Sequence, residues 1–144
     1  MVELSSILSK RASEVKPPVL LPQGLYVAQI EKWSDVREIG DKKTPGIDCT
    51  YRVSQPIDVE LPSDVELPRS VRQTHWLSEI SLHRFKEFLT NVLLIEEGQK
   101  DLAEMIRESS GRMFRLEIIQ KAYTPKGKTE PEMVNDVGNT FPLD

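Results

Sequence analysis

The side chains capable of covalent chemistry are few and scattered. His75 and His83 stand eight residues apart, a spacing that matches no metal signature such as HExxH, and both read as structural or surface histidines. Cys49 alternates with Ile47 and Tyr51 and reads as a small core hydrophobe rather than a thiolate. As the lone cysteine it makes no internal disulfide, and no CxxC or Cys/His cluster suggests structural zinc. No phosphate-binding loop, GxGxxG or GxSxG occurs, and the paired acids fall in proline-rich stretches. The expectation is a protein that is not an enzyme, with no catalytic residues, no metal and no cofactor. What remains is a set of bases and aromatics: Trp33, Arg37, Lys42, Lys43, Arg52, Arg115, Lys121, Tyr123, Lys126 and Lys128. Their chemistry is non-covalent. Cations track phosphates while aromatic faces stack unpaired bases, at about 1–3 kcal/mol per base.

A net charge of −4 on 144 residues argues against a polyanion partner only if the charge is uniform, and it is not. The stretch from Arg112 to Lys128 holds five bases against the single acid Glu117, whereas Asp58 to Glu66 holds four acids and no base. A basic surface can therefore coexist with an acidic total. The length and the 38% apolar content fit one globular domain with its own core. The longest apolar runs, such as Val92-Leu93-Leu94-Ile95, are far short of the roughly 20 residues that cross a bilayer. The N-terminus has an acid where a signal peptide has bases, so a cytoplasmic location and no membrane partner are expected.

The elements that must position these bases follow from periodicity. Residues 1–23 end in the proline-rich run Pro17-Pro18-Val19-Leu20-Leu21-Pro22 and read as an arm. From Gly24 to Trp33 the chain alternates, with Tyr26, Ala28 and Ile30 on one face and Gln29, Glu31 and Trp33 on the other. A polar connection from Ser34 to Pro45 leads to a second strand in which Ile47, Cys49, Tyr51 and Val53 share a side. Residues 54–70 form an acidic, proline-rich loop containing the duplicate Asp-Val-Glu-Leu-Pro at 58–62 and 64–68. The loop reads as a solvated connection, or as a docking strip or flap over a basic groove. Val71 to Leu77 reads as a third strand. Ser78 offers an N-cap to a helix with Leu82, Phe85, Phe88, Leu89, Val92 and Leu93 on one face. A shorter helix spans Gln99 to Glu108, a fourth strand runs from Phe114 to about Tyr123, and a fifth from Glu132 to Val137.

Order β-β-β-α-β-β, mainly β with a helix inserted between strands 3 and 4, is that of a five-stranded oligonucleotide/oligosaccharide-binding (OB) barrel over residues 24–137. Ligands there lie across strands 2 and 3, between the 1–2 and 4–5 loops. The 1–2 loop holds Arg37, Lys42 and Lys43, and the 4–5 loop Tyr123, Lys126 and Lys128. Three segments carry a resemblance: Leu21-Pro22-Gln23-Gly24-Leu25-Tyr26-Val27-Ala28-Gln29-Ile30, the passage from Trp76-Leu77-Ser78 through Leu82 to Leu89, and Gly111-Arg112-Met113-Phe114-Arg115-Leu116-Glu117-Ile118. With these the chain resembles the small OB-fold single-stranded DNA-binding proteins encoded by bacteriophages beside replication and recombination genes. The resemblance implies binding and protection of single-stranded DNA with little sequence preference. The alternative is a non-catalytic structural or adaptor β-barrel that assembles with other proteins, as in a virion. A protein partner on the acidic loop or on the C-terminal tail, residues 138–144, and homo-oligomerisation are both compatible with the sequence. Residues 138–144 also read as a last strand packing Phe141.

Overall fold

The chain builds strands β1 (Gly24–Trp33), β2 (Arg37–Ile39), β3 (Thr44–Pro56) and β4 (Arg69–Trp76), helices α1 (Glu79–Glu87) and α2 (Leu102–Ser109), then strands β5 (Met113–Tyr123) and β6 (Glu132–Pro142). This is a computed structural model, and it describes residues 19–124, 126–127 and 129–143. The strands make one antiparallel sheet in the order β2-β3-β1-β5-β6, with β4 also on β3. Both β4 and β6 run parallel to β1, because each is reached through two antiparallel pairings. They face each other across a groove of about 670 Å³ lined by Arg69 to Arg72, Glu132 to Asp136, and Val19 and Leu20. No ladder joins them among the described residues, so the sheet is open rather than the closed five-stranded barrel expected.

The sixth strand is β2, within the connection expected to be irregular. It pairs Arg37 with Gly46 and Ile39 with Thr44 around a tight turn in which Gly40 and Lys43 take positive φ. At the other end β6 continues through Gly138 to Pro142. Of the two readings of residues 138–144, tail and last strand, the chain is strand from Gly138 to Pro142, with Phe141 paired to Arg115. Asp144 lies outside the described residues, as do residues 1–18 of the arm.

Residues 19–23 are not a free arm. Leu21 is fully buried. Its backbone is held by side chains: Asn135 Oδ1 accepts from Leu21 N at 2.8 Å, and Asn135 Nδ2 and Gln120 Nε2 donate to its carbonyl. Arg69 donates to the Val19 carbonyl, so this strap is tied to both strands flanking the groove. Polar side chains thus satisfy backbone groups that no ladder reaches.

The inner face carries Tyr26, Ala28, Ile30, Ile47, Cys49, Tyr51, Val53, Phe114, Leu116 and Ile118, all buried. Helix α1 starts where Ser78 Oγ accepts from Ser81 N at 3.3 Å. It lays Phe85 against the sheet and passes into a π turn, Phe88–Val92, that buries Phe88 and Leu89. The rings of Tyr51, His75, Phe85, Phe88 and Phe114 pack there at 4.7–6.4 Å between centroids. The acidic loop is likewise anchored rather than merely solvated. Val65 is buried, Val59, Leu61 and Leu67 pack on the core, and Asp58 Oδ1 accepts from Leu25 N at 2.7 Å.

Candidate nucleic-acid interface

Residues directly opposite in an antiparallel pair point to the same face, so the ladder assigns each candidate a side. On β1 the register shifts between Ile30, opposite Tyr51, and Lys32, opposite Thr50. Glu31 is the extra residue of a bulge, and the parity of everything after it is inverted. Trp33 consequently lies opposite the buried Cys49 and faces inward, not outward as the alternation predicted. Its ring lies 5.6 Å from His75 and 5.7 Å from Phe85, and Nε1 donates to Ser109 Oγ at 2.8 Å. Trp33 ties β1 to α2, and its ring packs toward the core rather than lying on the outer face.

The same inversion brings Lys32 to the outer face. Rows then run across three strands: Gln29, Arg52 and Ser70; Lys32, Thr50 and Arg72; Asp48 and Thr74; and Arg37, Gly46 and Trp76 on β2, β3 and β4. Four cations thus share one surface. Asp48 lies beneath it at 5% exposure, held by Thr74 Oγ1 at 2.5 Å and Arg37 Nη2 at 2.7 Å. These hydrogen bonds, Thr74's first, together with the charges of Arg37 and Arg72, hold its carboxyl below the usual carboxylate range. Lys32, Arg52 and Arg72 form no ion pair among the described residues, whereas Arg37, Lys86, Lys100 and Lys121 each do. A cleft of about 340 Å³ opens between Lys32, Trp33, Ser34, Asp48, Thr50 and Arg72. Glu31 is the acid bordering this surface, and it accepts from Ser70 Oγ at 3.0 Å.

The remaining candidates divide. Lys42 and Lys43 are exposed on the β2–β3 turn, at the end of β2 away from Arg37. Arg115 faces outward on β5, opposite Val27, where its Nε donates to the Pro142 carbonyl and its guanidinium sits 5.9 Å from the Phe141 ring centroid. Lys121 pairs with Asp136 at 2.8 Å, which raises its pKa. Tyr123 and Lys126 are exposed at the β5–β6 hairpin, and Lys128 lies outside the described residues. Since Gly24 is opposite Ile118 and Trp33 opposite Cys49, that hairpin and the β2–β3 turn lie at opposite ends of β1. The two loops are not brought together as one groove.

Sequence reasoning missed Lys32, Arg72 and Trp76. The last two were legible, because Arg72, Thr74 and Trp76 alternate with Val71, Gln73 and His75 on a strand the periodicity shows. Both histidines find ordinary partners: His83 pairs with Glu87 at 2.8 Å, and His75 Nε2 lies 2.6 Å from the Tyr51 hydroxyl. Among the described residues no three His, Cys, Asp or Glu side chains are grouped so as to hold a metal, and no helix is long and apolar enough to cross a membrane. Neither a protein-family model nor a curated protein matches the chain.

Proposed function

We propose that the chain binds and protects single-stranded DNA with little sequence preference, without catalysis, on an OB-type sheet. The DNA lies over the outer face of β1, β3 and β4. The observation that carries this reading is the trio Lys32, Arg52 and Arg72, on three adjacent strands and free of ion pairs among the described residues. Cations at strand spacing that form no ion pair among the described residues suit a backbone of regularly spaced phosphates, and they give affinity without reading bases. The strand pairings and the parallel approach of β4 and β6 are compatible with an OB barrel, which uses this face for oligonucleotides.

Titration of a fluorescent oligothymidine against the protein at several salt concentrations tests the reading. Log affinity should fall linearly with log salt, with a slope of about −0.7 for each phosphate contacted. Absence of binding at low salt sinks the reading and favours an adaptor that assembles with protein.

A further inference from the structure

Beside the cationic face, where β4 meets α1, lies a second cleft of about 230 Å³. Gln73, Trp76, Ser81, Arg84 and Thr140 surround it, with His75 in its wall. It is smaller than a drug-sized pocket, and no acid lines it among the described residues. Trp76, 43% exposed, stands at the corner: it closes the outer row with Arg37 and Gly46 and also borders the cleft. The core fixes the polarity of the wall. Tyr51 has one hydroxyl proton and donates it to Gln73 Oε1 at 2.6 Å, so His75 Nε2 must donate to Tyr51. One lone pair of the Gln73 carbonyl is thereby used, and the Gln73 amide, the Arg84 guanidinium and the hydroxyls of Ser81 and Thr140 are the donors among the lining residues. Arg84 forms no ion pair among the described residues.

A donor-rich, acid-free cleft with an indole at its mouth suits a planar heterocycle bearing carbonyl and ring-nitrogen acceptors, followed by a phosphate. We infer that this cleft is a nucleotide subsite, in which one unpaired base of the bound strand stacks on Trp76 and its phosphate meets Arg84. This rests on the single-strand reading above and extends it: the strand leaves the sheet face at Trp76 and turns over the β4 edge onto α1.

The test pairs affinity with a map of contacts. By fluorescence anisotropy of a labelled oligothymidine, W76A should bind about five- to a hundredfold more weakly, whereas W76F, which keeps a stacking face, should retain most of the affinity. R84Q should make the salt slope shallower by about 0.7, one phosphate contact. Irradiating wild-type protein with a bromodeoxyuridine oligonucleotide should crosslink Trp76, identified by peptide mass spectrometry. If wild type binds but W76A and R84Q match it and crosslinks fall elsewhere, the cleft is no subsite while the single-strand reading stands. If wild type does not bind at low salt, both fall.

Discussion

Burial keeps the His75 imidazole neutral, pushing its pKa down to about 4 although the Asp48 charge opposes the shift. An unfolded histidine takes its proton near 6.5, so between about pH 6.5 and 4 the unfolded chain binds more protons than the native one. Stability then falls as pH falls through that window, by up to about 3 kcal/mol, and this contribution levels off below it. Asp48 acts at lower pH, because its depressed carboxyl protonates only below the usual carboxylate range. Urea unfolding at pH 7, 5.5 and 4.5 should show the His75 decline in wild type and a flatter profile in His75→Phe, which keeps a ring in the cluster. Equal slopes in both proteins would mean that His75 is solvated. Single residues were only partly legible in the sequence. The inward set Ile47, Cys49, Tyr51 and Val53 follows strict alternation, but Trp33 and Lys32 exchange faces because a one-residue bulge leaves no mark in composition.

Helix α1 has few intrinsic reasons to exist beyond its cap and the face it buries. Only Phe85 is buried within its regular turns, and the π turn supplies Phe88 and Leu89. Phe85→Ala should therefore cost about 3–5 kcal/mol in denaturant unfolding, since its ring packs on both Trp33 and His75. A loss below about half a kcal/mol would place the helix elsewhere. Asp101→Ala should cost about 1 kcal/mol, because Asp101 Oδ1 accepts from Glu104 N at the start of α2. The strap makes a sharper demand on the fold. Leu21→Ala should cost about 2–5 kcal/mol, although Leu21 precedes the first strand. Elements with strong periodicity, β3 and α1 above all, could be read from the sequence. The end of β6 is one of the readings open for residues 138–144, whereas the strap and β2 could not be read: prolines and charges there signal loops, and the hydrogen bonds from Asn135, Gln120 and Arg69 and the pairing to β3 are long-range and leave no local pattern.

Across the whole molecule, charge is sorted by location. The acidic repeats lie in the loop anchored over the core by Val65, while three cations without ion pairs among the described residues share the outer face of β1, β3 and β4. The basic stretch from Arg112 to Lys128, the strongest signal in the sequence, is largely engaged or remote: Arg115 is bound to the β6 backbone, Lys121 to Asp136, and Lys126 lies at the far end of β1 from Arg37. Two charge reversals separate these surfaces. The double variant Arg52→Glu, Arg72→Glu should weaken oligothymidine binding for all sequences alike and flatten the salt slope by about 0.7 for each phosphate no longer held. Lys126→Glu should leave both nearly unchanged. None of the three residues is buried and none forms an ion pair among the described residues, so stability should move by no more than about 0.5 kcal/mol at positions 52 and 126; at 72 the reversed charge also acts on Asp48, and denaturant unfolding of the double variant checks that it stays folded. That leaves affinity free of a folding artefact. If Lys126→Glu flattened the slope and the double variant did not, the DNA would follow the β5–β6 hairpin, and the sequence's basic stretch would be the better guide to the interface than the geometry of β3 and β4.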